Sequence, residues 1–246
     1  MEYSEDLKQI DFLSASFFAN VTTLFETITF FNNSVTCAFE TKNTKLMNSY
    51  STLLNALKHS SKNENENDVF FKHMPALCFS NLVSSFEDYL LEMALIALKK
   101  QPLKMAKATC DLKMLLELSK DEIIEYKARE HLNTILYAKP LDYMRGICDL
   151  LGVKPDVIKN EWMEYIEIKA RRDLGVHNRW IKNDTYIRKT KEAGITTVPD
   201  EYLKPDLNTY KAAFHTCSQL VAKITDEVLV NVYKQPPLIG DIFNKI

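Results

Sequence analysis

Residues 155–178 read PDVIKNEWMEYIEIKARRDLGVHN, and on this stretch the fold turns. Ile158, Trp162 and Tyr165 recur in steps of three and four, the spacing that puts side chains on one face of an α-helix. The same line continues through Lys169 and Arg172 to Val176, so an apolar stripe becomes charged before it ends. A guanidinium on a core-facing line must reach water, a carboxylate or a ligand, because burying it unpaired costs several kcal/mol. The stretch therefore predicts a helix that begins as core and ends as a site, an interface, or both. Its final run, Arg171-Arg172-Asp173-Leu174-Gly175-Val176-His177-Asn178, gathers two cations, a carboxylate and an imidazole.

The rhythm returns on both sides. Ile10, Leu13, Phe17, Val21, Leu24, Ile28 and Phe31 mark an amphipathic helix, and Val35, Phe39, Leu46, Tyr50, Leu53 and Leu57 continue less regularly, which suggests an N-terminal helical hairpin. Ser60 to Asp68, SSKNENEND, lacks apolar residues and predicts a solvated linker. The expected division is thus a hairpin and linker over 1–69 and a helical domain over 70–246. Phe79, Val83, Phe86, Leu90, Met93 and Ala97 mark a long helix that Pro102 helps to end. Ser119 with Glu122 forms a capping box for the next helix. Another helix spans about Pro140 to Leu151, with Gly152 as its C-cap and Pro155 in the first turn of the helix that follows.

Between Asn178 and Pro205 the periodicity weakens, with Gly194, Pro199 and the β-leaning Ile195-Thr196-Thr197-Val198. Leu207, Tyr210, Phe214, Cys217, Val221, Ile224 and Val228 restore it, and Pro236-Pro237 is expected to stop it. The tail from Leu238 to Ile246 is apolar enough to dock. The reading is an all-α helical bundle.

Composition removes several function classes. With 246 residues and 46% hydrophobic content the chain can bury one sizeable core. Its five glycines are too scattered for a glycine-built phosphate cradle. The longest apolar run, Met93 to Leu98, is far too short to cross a bilayer, and the N-terminus lacks a basic region before an apolar core, so a cytoplasmic protein is expected. Cys37, Cys78, Cys110, Cys148 and Cys217 never form a CxxC pair, which suits reduced thiols. His59, His73, His131 and His215 lack HxxxH or HExxH spacing, so neither a metal nor a cofactor is expected.

The net charge of −2 conceals an asymmetry. Residues 1–70 carry five Lys/Arg against nine Asp/Glu, whereas residues 169–191 carry eight Lys/Arg against two Asp. The basic patch coincides with the Arg-Asp-His run and favours a polyanion, although a solvated basic helix end would account for part of it.

With this run, its helix and its neighbours in view, the chain resembles the HEPN superfamily, small all-α domains of which many are metal-independent ribonucleases. The signature of that family, Arg, four to six residues, then His, is met by Arg172-Asp173-Leu174-Gly175-Val176-His177, with the pair His177-Asn178 as in many bacterial members. Leu82-Val83-Ser84-Ser85-Phe86-Glu87-Asp88-Tyr89-Leu90 is similar to the first core helix of bacterial HEPN proteins, and Asn178 through Tyr186 resembles the turn after the motif. The similarity covers about residues 70–233 and leaves the N-terminal hairpin outside.

What the resemblance implies is an endoribonuclease whose RNA 2′-hydroxyl attacks the adjacent phosphate, leaving a 2′,3′-cyclic phosphate and a free 5′-hydroxyl. His177 is then a general acid or base and Arg172 holds the scissile phosphate. Asp173, on the same helical face as His177, can orient the imidazole. Asn178 completes the motif. Arg171, Arg179, Lys182, Arg188 and Lys189 are candidates to track flanking phosphates, and Trp180 or Tyr186 to stack on a base, Trp180 being at least as well suited to pack against its own domain.

On a straight helix Arg172 and His177 are about 140° apart, so either the helix ends between them or a second chain completes the site. The family's solution is a homodimer joined through the motif helices. A toxin or antiphage defence role, with a companion antitoxin or sensor protein, belongs to the same implication. The rival expectations are a non-catalytic HEPN module that binds RNA or a protein partner, and a scaffold whose Arg-Asp-His cluster is a satisfied polar interface. Glu87 and Asp88 read as a solvated edge or as partners for an arginine of the motif helix.

Overall fold

The computed structural model describes residues 4–41, 66–105, 109–136, 138–196 and 199–238. Along them run α1 (Glu5–Glu40), α2 (Glu66–Lys100), a short 3-10 turn at Pro102–Met105, α3 (Leu112–Glu117), α4 (Lys120–Leu136), α5 (Pro140–Leu151), α6 (Pro155–Asn178), α7 (Asp184–Glu192) and α8 (Leu207–Asn231). No strand occurs among the described residues; Ile181 and Tyr202 form an isolated antiparallel bridge. The chain is all-α, as expected.

Helix boundaries follow local chemistry. The Ser119 amide and hydroxyl both donate to the Glu122 carboxylate, at 2.8 and 2.7 Å, which caps α4 as the sequence predicts. Gly152 closes α5 in the left-handed region at φ 69°, and Pro155 opens α6, where its missing N–H would have had no partner in the helix. Three caps are not marked by the sequence pattern: Asn183 accepts the Tyr186 amide at 2.9 Å, Asp206 the Thr209 amide at 2.7 Å and Asp111 the Met114 amide at 2.8 Å. The first of these sets α7 inside the stretch of weak periodicity. The last helix stops at Asn231, before Pro236 is reached.

Residues 66–68, expected in the linker, belong to α2. The rest of the linker and the second arm of the hairpin lie outside the described residues. Val35 and Phe39 continue α1, one helix of 36 residues. That helix does not stand apart: Ile10, Phe17, Val21 and Ile28 share one core with Phe86, Met93, Trp162 and Val221. Phe17 packs against Phe86 and Tyr89 of α2. Behind it, Ser14 and Thr225 hydroxyls meet at 3.0 Å and Tyr89 meets Thr225 at 2.7 Å, so a buried polar chain ties α1, α2 and α8 together. Each large apolar side chain buried in that core contributes about 1.5–3 kcal/mol.

Among the described residues no helix is long and apolar enough to cross a membrane. The apolar half of the α6 stripe, Ile158, Trp162 and Tyr165, is fully buried. Its charged half turns out of that core between α2 and α7, and there the cleft opens.

Candidate functional site

A cleft of about 770 Å³ is bordered by Glu87 and Asp88 of α2, Tyr143 of α5, a line of α6 residues from Trp162 to His177, and Tyr186 and Lys189 of α7. Arg172 and His177 border it together, although α6 runs unbroken through both to Asn178. Of the two alternatives drawn from helix geometry, a helix end between them is therefore absent. The reason lies at Gly175, where the indole of Trp180 folds back onto the helix: a Cβ there would lie 2.4 Å from two ring carbons. The glycine seats a side chain instead of ending a helix. The Trp180 amide donates to the Leu174 carbonyl at 3.1 Å, and Arg179 and Trp180 both take positive φ, 52° and 66°. Trp180 also meets Phe79 edge-on, so it packs within its own domain.

The charges on the stripe find carboxylates. Glu87 pairs with both Lys169 and Arg172. Arg172 also reaches Asp173 Oδ1 at 3.2 Å, and Lys189 donates to Asp173 Oδ2 at 3.0 Å. A chain Lys169–Glu87–Arg172–Asp173–Lys189 results, all of it partly buried, and it answers the question the sequence posed about a guanidinium on an apolar line. Burial draws the Lys169 ammonium down to about 8, with Arg172 and Lys189 adding to that and Asp173 opposing it. Contact with Glu87 likewise favours the charged lysine. The reading of Glu87 as an arginine's partner holds.

Several candidate residues have other roles than those expected. Asp173 does not orient His177, because both of its oxygens are taken by cations on either side. The His177 ring is exposed and makes no hydrogen bond or ion pair among the described residues. Tyr186 cannot stack on a base: it is buried and donates its hydroxyl to Glu167 at 2.7 Å. Arg171 is tied to the same Glu167 at 2.7 Å and borders a second groove, between α6 and α8, away from the cleft. Successive arginines thus serve opposite sides of one helix.

Lys189 is engaged by Asp173, Lys182 donates to the Pro199 carbonyl at 3.1 Å, and the Asn178 side-chain amide donates to the Ile181 carbonyl at 2.7 Å, closing the turn. Arg179 and Arg188 are exposed near the cleft's end of the molecule, at the C-cap of α6 and on α7. Of the histidines, His59 lies outside the described residues; His131 and His215 are exposed on other helices, and His73 Nδ1 is 3.1 Å from Lys204 Nζ. No group of three His, Cys, Asp or Glu side chains is placed to hold a metal among the described residues.

Of the aromatic floor of the cleft, the sequence pattern marks Trp162 and Tyr165 as core and does not single out Tyr143. Tyr143, Trp162 and Tyr165 are core residues that also border it, and helical periodicity cannot separate these two roles, because both require an inward face. Compared with models of protein families, with curated proteins and with solved structures, the chain matches none.

Proposed function

We propose that this chain is a metal-independent endoribonuclease of HEPN type, acting on RNA through Arg172 and His177. One observation carries the reading: these two residues, paired by spacing in the sequence, border a single cleft alongside Lys169 and Lys189. The 2′-oxygen bonds to phosphorus, the bond from phosphorus to the 5′-oxygen breaks, one proton leaves the 2′-hydroxyl and one reaches the departing oxygen. His177, exposed and without a hydrogen-bond partner among the described residues, is available for either proton. The Arg172 guanidinium, fixed in place by Glu87 and Asp173, stabilises the charge that develops on the phosphate oxygens. Val176, Ile181, Ile187 and Tyr202 are exposed apolar residues around the motif, which supports a second copy docking there and bringing a second His177. The defence or toxin role, the companion protein and the cytoplasmic setting rest on the resemblance.

One observation favours the alternative, a non-catalytic HEPN module that binds RNA or a protein: Arg172 already has two carboxylate partners, which a phosphate must displace. The discriminating experiment is incubation of end-labelled RNA with wild type and His177→Ala in EDTA. Because His177 is exposed, this variant should keep the fold. Cyclic-phosphate ends from wild type, reduced about 10²-fold or more in the variant, are expected. RNA binding without cleavage by either protein selects the alternative, and equal cleavage by both removes His177 from the mechanism.

A further inference from the structure

On α3 the fold leaves an apolar face uncovered. Leu112, Leu115 and Leu116 stand at i, i+3 and i+4 and so share one side of the helix. They are 71%, 59% and 77% exposed, and α3 buries none of its residues. None of the three borders either groove along α6. Isolated helices shorter than about 12–15 residues are marginal in water, and most helices owe their stability to a packed apolar face. The six residues of α3 have a cap, since Asp111 accepts the Met114 amide at 2.8 Å, but their leucine side faces solvent. Adjoining exposed leucines of this kind mark an interaction surface.

The charges beside the leucines decide what covers them. Lys113 and Glu117 lie one turn apart on a single flank of that face, 4.0 Å from each other and 78% and 61% exposed. Consider two copies of α3 packed antiparallel about a two-fold axis through Leu115. Leu115 then meets its own copy, with Leu112 and Leu116 around it. The same register sets Lys113 beside Glu117 of the second copy and Glu117 beside Lys113 of the second copy, so the flank is complementary to itself. An anionic bilayer lacks that match. Residues 111–122 carry Lys113 and Lys120 against Asp111, Glu117, Asp121 and Glu122, an excess of carboxylates.

We propose that α3 is a self-association face, through which two copies of the chain pair antiparallel, leucine on leucine, with two reciprocal Lys113–Glu117 pairs at the rim. The inference needs nothing of the ribonuclease reading. A chain that also pairs through the motif helix would build tetramers or longer arrays, because the two contacts use different surfaces. Three leucines and two rim residues fall far short of the roughly 20–30 residues that a standard interface uses on each side, so pairing through α3 is weak and depends on concentration.

The test is sedimentation equilibrium of the full chain over about 10–500 µM. The average mass of wild type should rise with concentration. Leu115→Glu should lower the mass reached at the highest concentration by about half; because Leu115 is exposed, the helical content read by circular dichroism should not change. Lys113→Glu and Glu117→Lys each place like charges at both rim contacts and should each weaken association about 3- to 10-fold. An equimolar mixture of these two variants restores opposite charges at both contacts and should associate like wild type. A role of the two residues within their own helix alone would not be rescued by mixing. A wild type that stays monomeric throughout, a mass unchanged by Leu115→Glu, or a mixture no better than its components overturns the proposal. So does binding to phosphatidylglycerol vesicles that Leu115→Glu abolishes while leaving the mass unchanged, which would give the face to a membrane.

Discussion

At Gly175 two residue-level rules point in opposite directions. Alanine stabilises a helix interior by about 1 kcal/mol relative to glycine, yet a Cβ here meets the Trp180 ring at 2.4 Å. The indole cannot swing aside freely, because it is lodged against Phe79 and its own backbone sits at φ 66°. Overpacking of this kind costs about 1–3 kcal/mol, so the clash should win. Gly175→Ala is expected to lower stability by about 1–2 kcal/mol in urea and to change Trp180 fluorescence. In a Trp180→Ala background the same substitution should stabilise the protein, by the helix propensity alone. Stabilisation by Gly175→Ala with Trp180 present would show that the indole does not need the space. The sequence exposed the glycine but not its cause, since the residue it accommodates lies beyond the helix end. Arg172 was legible because charge on an apolar stripe demands a partner, and Glu87 was among those named. Tyr186 was not, because a tyrosine suited to stacking and a tyrosine hydrogen-bonded to a partly buried carboxylate look alike in one dimension.

The elements were legible where their punctuation is local. Pro102, the Ser119–Glu122 box, Gly152 and Pro155 each act through backbone groups within a few residues, and each stands at a helix boundary. Lone caps without a reciprocal partner were missed, as at Asn183 and Asp206. The whole of α7 went unread for that reason and because only Tyr186 and Thr190 of its residues are buried, too few to show a stripe. Asp206 offers a test at this scale. Its carboxylate accepts from both the amide and the hydroxyl of Thr209, each at 2.7 Å, and these bonds hold its pKa below the usual carboxylate range. A depressed folded value means that the stabilisation is present above the unfolded pKa of about 3.9 and disappears as the pH falls through the lower folded value. Asp206→Ala should therefore cost about 1 kcal/mol at pH 7, and the difference between wild type and variant should shrink as the pH falls through the lowered folded value. Asp206→Asn keeps the acceptor and should lose the pH dependence while retaining most of the stability. A constant difference between wild type and Asp206→Ala across the acid range would contradict this assignment.

Across the whole molecule, the cleft exists because α2 carries one carboxylate to a place where α6 carries two cations. Glu87 is far from Lys169 and Arg172 in sequence, and only the shared core of α2, α6 and α8 brings them together. That is why the basic excess of residues 169–191 overstated the charge offered to a polyanion: Glu87 and Glu167 neutralise part of it from within the fold. The ion pairs retain about a fifth of their side-chain exposure, so breaking them costs less than the 3–5 kcal/mol of a fully buried pair. Glu87→Leu strands Lys169, leaves Arg172 with Asp173 alone, and should destabilise by about 2–3 kcal/mol. Lys169→Met leaves Glu87 its arginine and should cost about 1 kcal/mol or less. The double variant removes one charge of each sign, leaves Arg172 with Asp173, and should be more stable than Glu87→Leu alone, with a coupling of about 1–2 kcal/mol. Chemical denaturation of the four proteins measures this directly. Strict additivity would mean that Lys169 and Glu87 merely lie near each other; a coupling of the expected sign would mean that the ion pair across the cleft wall helps to hold α2 and α6 together.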